Sequence, residues 1–154
     1  MYLCIVMIPS KEFEHIRNTL DAITSLRSAM RQFISKKIKE GNYDITYEMM
    51  QLLLVLWRGH EVNQQEIANL LIKNKASITP LIDNLSKRKL VVRTEDPSDR
   101  RNKIIALTKA GREYMEAFSP VLDDFFRRIE TDVTMAELEM VSEVLMKMRR
   151  NMVS

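Results

Sequence analysis

The sequence predicts a mainly α fold with one small β-hairpin. Three observations carry that reading. Three glycines and four prolines are few for 154 residues, so turns are scarce and elements long. Apolar residues recur at spacings of three and four towards both ends of the chain, the period of a helix with one buried face. Two β-branched-rich runs, LVVRT (90–94) and KIIAL (103–107), are joined by the charged stretch 95–102 and read as the two strands of a hairpin.

Each element follows in order. Residues 11–39 read as one long helix, with Phe13, Ile16, Leu20, Ile23, Leu26, Met30, Phe33 and Ile38 on its stripe and Gly41 and Asn42 ending it. A stripe of this length exceeds what a small domain covers, so it is expected to meet another subunit. Residues 46–58, TYEMMQLLLVLWR, form a second helix. Thr46 stands at its cap, and Leu52 to Trp57 is apolar on every side, which says buried. It is short for a membrane span and reads as a core helix. Asn63 and Glu66 make a capping box that opens a short helix carrying Ile67 and Leu71. After a turn at Lys73 and Asn74, a further helix runs from about Ala76 to Arg88, with Ile78, Leu81, Ile82 and Leu85 inward. A proline deep inside a helix costs about 3 kcal/mol, so the helix is expected to start close before Pro80, near Ala76 or Ser77. Beyond the hairpin, Thr108 caps a helix from about Lys109 to Ile129, with Tyr114, Phe118, Val121, Leu122, Phe125 and Ile129 on its stripe and Pro120 placed to bend it. Thr134 and Glu137 form the capping box of a last helix, about Met135 to Met152.

Composition narrows the function. The chain is 45% hydrophobic and 29% charged, enough for a core and a solvated surface. Its one cysteine, Cys4, cannot form an internal disulfide, and a reducing, cytoplasmic setting is expected. The opening MYLCIVMIPS is apolar for only a few residues and lacks a basic start, so it reads as a packing arm and not as a span or a signal peptide. Eleven methionines suit an ordinary helical core or an adaptable pocket. No Ser/His/Asp arrangement, Gly-rich phosphate loop or supported carboxylate pair stands out, so no enzyme and no cofactor are expected. Glu12 with His15, and Glu14 with Asn18, share a helix without making a ligand cluster, and no metal is expected.

The net charge of +3 is unevenly spread: Lys73 to Lys103 holds nine bases against four acids, a net of +5, leaving −2 for the remainder. A focused basic patch suits a polyanion. It coincides with two short helices, the second rich in polar and basic residues, followed by a strand pair. That is a helix-turn-helix with a wing, a device for reading DNA. The second short helix would lie in a major groove. Lys75, Ser77, Thr79 and Pro80 are placed for base edges, and Asn84, Lys87 and Arg88 for the backbone. Gln64, Gln65 and Arg93 are further candidates for phosphate. In the wing, Arg101 can enter a narrow minor groove, Asp99 can hold it in one rotamer, Arg100 can reach phosphate, and Asn102 completes the tip, while Asp96 and Pro97 shape the turn.

In DPSDRRNKIIALTKAG (96–111), together with QQEIANLL and SITPLIDNLSKRKLVVR, the chain resembles the MarR family of winged-helix transcriptional regulators. The resemblance runs nearly the whole length after residue 10. Asp99 and Arg101 match the family's D-x-R wing tip, and Leu107, Thr108 and Gly111 match its L-T-x-x-G helix opening. It implies a winged helix-turn-helix DNA-binding lobe plus a helical dimerisation region. Residues 1–44 would be the arm and first dimerisation helix, 45–107 the DNA-binding lobe and 108–154 the C-terminal dimerisation helices. It implies a homodimer on a near-palindromic double-stranded DNA operator, with repression the commoner mode, and two recognition helices roughly 34 Å apart. It also implies release by a small aromatic or phenolic effector in a cleft between dimer helices and lobe. Met30, Phe33, Tyr47, Met50, Trp57 and Tyr114 could line that cleft, and core packing accounts for each equally well. No membrane partner is implied.

Two departures stand out. The family often has glycine where this chain has Lys89, a position lysine can fill at some cost if φ is positive. ITYEMMQLLLVLW and TPLI lean towards the organic-peroxide-sensing branch, whose reactive cysteine falls near Thr19 to Ala22, where this chain has none. Peroxide sensing is therefore not carried over, and Cys4, with no cation before Lys11, reads as an inert thiol. The competing reading is a winged helix that binds protein without specific DNA binding. It would favour an apolar or acidic recognition face over the basic one found here.

Overall fold

The computed structural model describes residues 11–59, 61–95 and 103–153. Cys4 and the arm, His60, and the wing-tip residues Asp96, Pro97, Asp99, Arg100, Arg101 and Asn102 lie outside the described residues. The chain divides after Met115 into two compact units. A 3-10 turn at Lys11–Phe13 leads into α1 (Glu14–Glu40), followed by α2 (Tyr47–Trp57), β1 (Val62–Asn63), α3 (Gln64–Leu70), α4 (Lys75–Lys87), β2 (Val91–Glu95), β3 (Lys103–Leu107), α5 (Lys109–Glu130) and α6 (Met135–Val153). No helix among the described residues is long and apolar enough to cross a membrane.

The core of the first unit forms around α2. Met49, Met50, Leu52, Leu53 and Leu56 are buried, joined by Ile67 and Ala68 of α3 and Ile78, Ile82 and Leu85 of α4. Each fully buried aliphatic side chain of this kind contributes about 1.5–3 kcal/mol. The expectation that α2 is buried all round holds on one side only, since Leu54, Val55 and Trp57 are half-buried. Strand order is β1-β3-β2, all antiparallel. The hairpin register pairs Val91 with Leu107 and Glu95 with Lys103, with Ile105 and Leu107 facing the core. β1 pairs Val62 with Ile105 and is an addition to the predicted elements.

Three helices end in the same way. At α1, Asn42 N–H donates to Lys39 O and Tyr43 N–H to Ile38 O. At α3, Ile72 donates to Asn69 and Lys73 to Ala68. At α4, Lys89 donates to Ser86 and Leu90 to Leu85. These are paired 5→2 and 6→1 bonds, which need a left-handed residue just past the helix. Asn42, Ile72 and Lys89 supply it with φ of 52°, 52° and 59°. The turn of the helix-turn-helix therefore lies at Leu71 and Ile72, two residues earlier than expected, and Asn74 is the N-cap of α4 instead. Leu90 is used in closing α4, so the strand starts at Val91 and not at 90.

α4 begins at Lys75, which puts Pro80 at its sixth residue. A proline there removes the amide that Ala76 O would accept, and the loss falls on an exposed turn. In the second unit, Thr134 and Glu137 form the expected box: Thr134 N–H donates to Glu137 Oε2 at 2.8 Å and Glu137 N–H to Thr134 Oγ1 at 3.3 Å. The Thr134 hydrogen bonds hold the Glu137 carboxyl below its ordinary pKa. Pro120 lies within α5 without interrupting it.

Candidate nucleic-acid interface

The site is built on α3, α4 and the hairpin. Asn63 opens α3 with a complete capping box: its side chain accepts from Gln65 and Glu66 N–H at 2.9 and 3.0 Å, and its own N–H donates to Glu66 Oε2 at 2.8 Å. Asn74 opens α4 by accepting from both the N–H and the hydroxyl of Ser77, at 2.8 and 2.7 Å. These caps satisfy amides that would otherwise be orphaned at the two helix starts.

α4 presents its apolar face to the core and leaves the opposite face open. Lys75, Ser77, Thr79, Pro80, Asn84 and Lys87 are all exposed. Their side chains are not equally available. Ser77 is held by Asn74. The Thr79 hydroxyl donates to Lys75 O at 3.2 Å and accepts from Gln64 Nε2. Asn84 Nδ2 donates to Pro80 O at 2.8 Å. Lys75 and Lys87, one at each end of the helix, have no side-chain partner among the described residues, and neither do Lys73 and Lys89.

Other predicted contacts are engaged within the fold. Gln64 Nε2 donates to Lys75 O at 3.3 Å as well as to Thr79. Gln65 Nε2 donates to Asn69 Oδ1 at 3.1 Å. The Arg93 guanidinium meets Asp83 Oδ1 at 2.6 Å. Arg88 meets Asp44 and Asn84 through Nε, Nη1 and Nη2. At the last described pair of the hairpin, Lys103 Nζ donates to Glu95 Oε1 at 2.8 Å, and that bond holds the Glu95 carboxyl below its ordinary pKa. The sequence shows these residues as free charge and amide groups. The pairings of Gln64, Arg88 with Asp44, and Arg93 are missed because they join positions well apart in the chain and leave no periodic trace.

The six proposed cleft residues differ in burial. Met50 is 0% exposed and part of the core, while Met30, Phe33, Tyr47, Trp57 and Tyr114 are half-buried. Arg31 lies over the Tyr47 ring at 5.1 Å and pairs with Glu48 at 2.8 Å. Tyr43 and Tyr114 meet edge to face at 5.6 Å. Burial, then the nearby Tyr43 and Asp44, push the Tyr114 phenol up to about 12 against an opposing effect of Arg88. A cavity of about 410 Å³ is lined by Val55, Arg58, Val62, Glu66, Asn69 and Leu70, none of them among the six.

Comparison with known proteins fits this geometry. A family model described as Transcriptional regulator SarA/Rot matches residues 33–118. The HTH-type transcriptional regulator YdgJ of Bacillus subtilis (strain 168), itself uncharacterized, is 26% identical over 107 residues, 70% of this chain and 65% of its own length. The HTH-type transcriptional regulator SarZ of Staphylococcus epidermidis is 26% identical over 103 residues, 67% of this chain and 68% of its own length. The matches thus span about two thirds of these relatives. Among solved structures, S. aureus MepR in a DNA complex has a TM-score of 0.73 and 27% identity, covering 84% of this chain and 95% of that one. MepR in its DNA-binding conformation reaches 0.78 at 26% identity, covering 87% and 98%.

Proposed function

We propose that this chain, which belongs to the SarA/Rot family of transcriptional regulators and has the MarR-type winged-helix fold, binds a near-palindromic double-stranded DNA operator as a homodimer and represses transcription. The observation that carries the reading is α4: a capped helix with its apolar face sealed and two lysines, Lys75 and Lys87, at the ends of its exposed face, unpaired among the described residues. Lys75, Ser77, Thr79 and Pro80 would face base edges, with Asn84 and Lys87 along the backbone. The wing residues Asp99, Arg100, Arg101 and Asn102 belong to the proposal on sequence grounds. The likeness to MepR, solved in complex with DNA, supports DNA as the partner.

Residues 45–107 are the proposed DNA-binding lobe. The terminal helices are the proposed dimerisation elements, because each leaves apolar side chains uncovered. On α1 these include Ile16, Ile23 and Leu26, and on α6 Met135, Met140 and Val141. A second copy would remove that surface from water. Release by a small aromatic or phenolic effector completes the reading. Such a molecule acts only through its differential affinity for DNA-competent and incompetent states.

The test is the salt dependence of DNA affinity for wild type, Lys75→Ala, Lys87→Ala and Arg101→Ala. Removing a side chain that neutralises one phosphate is expected to make the log–log slope shallower by about 0.9. Unchanged affinity in all three variants would remove the proposed face from the DNA.

A further inference from the structure

α4 is tied to the rest of the lobe at both ends by long-range side-chain bonds. At its start, Gln64, the first residue of α3, uses its amide nitrogen on two acceptors of α4: the carbonyl of Lys75 and the hydroxyl of Thr79. An amide nitrogen carries two hydrogens, so both are engaged. At its end, Arg88 is the C-cap of α4. Its Nε donates to the backbone carbonyl of Asp44 at 2.7 Å and to Asp44 Oδ2 at 3.1 Å, Nη2 meets the same carboxylate oxygen at 3.1 Å, and Nη1 donates to Asn84 O at 3.3 Å. Asp44 lies in the turn between α1 and α2, 44 residues away.

The Asp44 carboxylate is 88% exposed, and an exposed ion pair by itself holds little. The two carbonyls are different. They take charge-assisted bonds from a planar fork, fixing direction as well as distance. We infer that Arg88 and Gln64 are positioning residues that pin the recognition helix at its two ends, and that neither acts chiefly as a phosphate ligand. The inference rests on the DNA-binding reading above and adds a division of labour to it. Base-edge bonds are directional and fail when the helix tilts, whereas phosphate contacts carry no sequence information. Losing a pin should therefore erase preference for one sequence and spare general affinity.

The experiment compares two duplexes: the one wild-type protein selects from a random library, and a shuffled duplex of the same composition. Affinity is measured across a salt series for wild type, Arg88→Ala, Arg88→Lys and Gln64→Ala, with thermal melts alongside. Arg88→Ala and Gln64→Ala are expected to lose about tenfold on the selected duplex, a change of about 1.4 kcal/mol. Binding to the shuffled duplex and the salt slope should hold. Arg88→Lys should not rescue, because an ammonium is a point charge and cannot make the fork. Rescue by lysine, with equal losses on both duplexes and a shallower slope in Arg88→Ala, would make Arg88 a phosphate ligand and overturn the inference. So would an alanine variant that keeps its full preference. If Arg88→Ala does not fold, Arg88→Lys and Gln64→Ala decide: loss on the selected duplex alone, with the salt slope kept, supports the pins, and full preference in both overturns them. A wild-type protein that selects no sequence would sink the DNA-binding reading itself.

Discussion

Thr108 donates its hydroxyl proton to the backbone carbonyl of Lys89 at 2.6 Å. The Thr108 hydroxyl oxygen in turn accepts the N–H of Gly111 at 2.9 Å, and Thr108 N–H donates to Leu90 O at 3.1 Å. One residue thus joins the end of α4 to the start of α5 at the base of the hairpin, beside the Val91–Leu107 pair. A Cβ at residue 111 would overlap the Leu90 carbonyl, so this approach requires glycine. That is the physical content of the L-T-x-x-G motif. Thr108→Ala is expected to cost about 1–2 kcal/mol through removal of the cap, and Gly111→Ala about 3 kcal/mol or more through overpacking. Urea denaturation measures both, and a Gly111→Ala protein of wild-type stability would refute the assignment.

Two left-handed residues carry strain that glycine would relieve. Ile72 has φ of 52° and is 93% exposed, so its β-branched side chain gains little packing. The left-handed region costs a side-chain-bearing residue roughly 1–2 kcal/mol. Ile72→Gly should therefore raise stability by about 1 kcal/mol, and Lys89→Gly should shift it the same way. A lower melting temperature for Ile72→Gly would mean that the side chain's packing outweighs the strain.

Tyr114 should be separable by titration. Burial pushes its phenol up to about 12. Absorbance near 295 nm is expected to show a late tyrosinate step that Tyr114→Phe removes. The stability linked to this phenol is full below its unfolded value near 10 and is lost as pH rises towards 12, because only the unfolded chain ionises there. Its hydroxyl has no hydrogen-bond partner among the described residues. Tyr114→Phe should therefore be neutral or stabilising by about 1 kcal/mol at pH 7.

The α6 box predicts the opposite pH behaviour. The Glu137 carboxyl is held below its ordinary pKa by Thr134, so its contribution is present above about pH 4.5. It is lost as pH falls through the lowered value. Glu137→Gln keeps the box geometry while removing the charge. Its stability, followed by circular dichroism from pH 6 to 3, should vary less than that of wild type. Identical acid profiles would separate Glu137 from the acid response.

Much of the fold is legible because helices announce themselves by period and cap. Thr46, Asn63 and Thr134 mark three helix starts correctly, and the LVVRT and KIIAL runs mark the hairpin to within a residue. Asn74 is harder to read: a capping asparagine beside lysines resembles an ordinary turn, so the expected start of α4 falls one residue late. β1 is two residues long, too short to show alternation. The anchoring of Arg88 by Asp44 and of α4 by Gln64 leaves no trace at all. A polar residue far along the chain looks the same whether it faces solvent, phosphate or a distant carbonyl.

The most direct measurement of the central claim is selection of genomic DNA fragments by the purified protein at about 150 mM salt, where non-specific binding is weak. Enrichment of an inverted repeat, with half-site centres about one helical turn apart, is the predicted result for a dimer presenting two α4 helices. Salt-sensitive binding with no enriched motif would contradict it and leave the basic face as an electrostatic surface without sequence recognition.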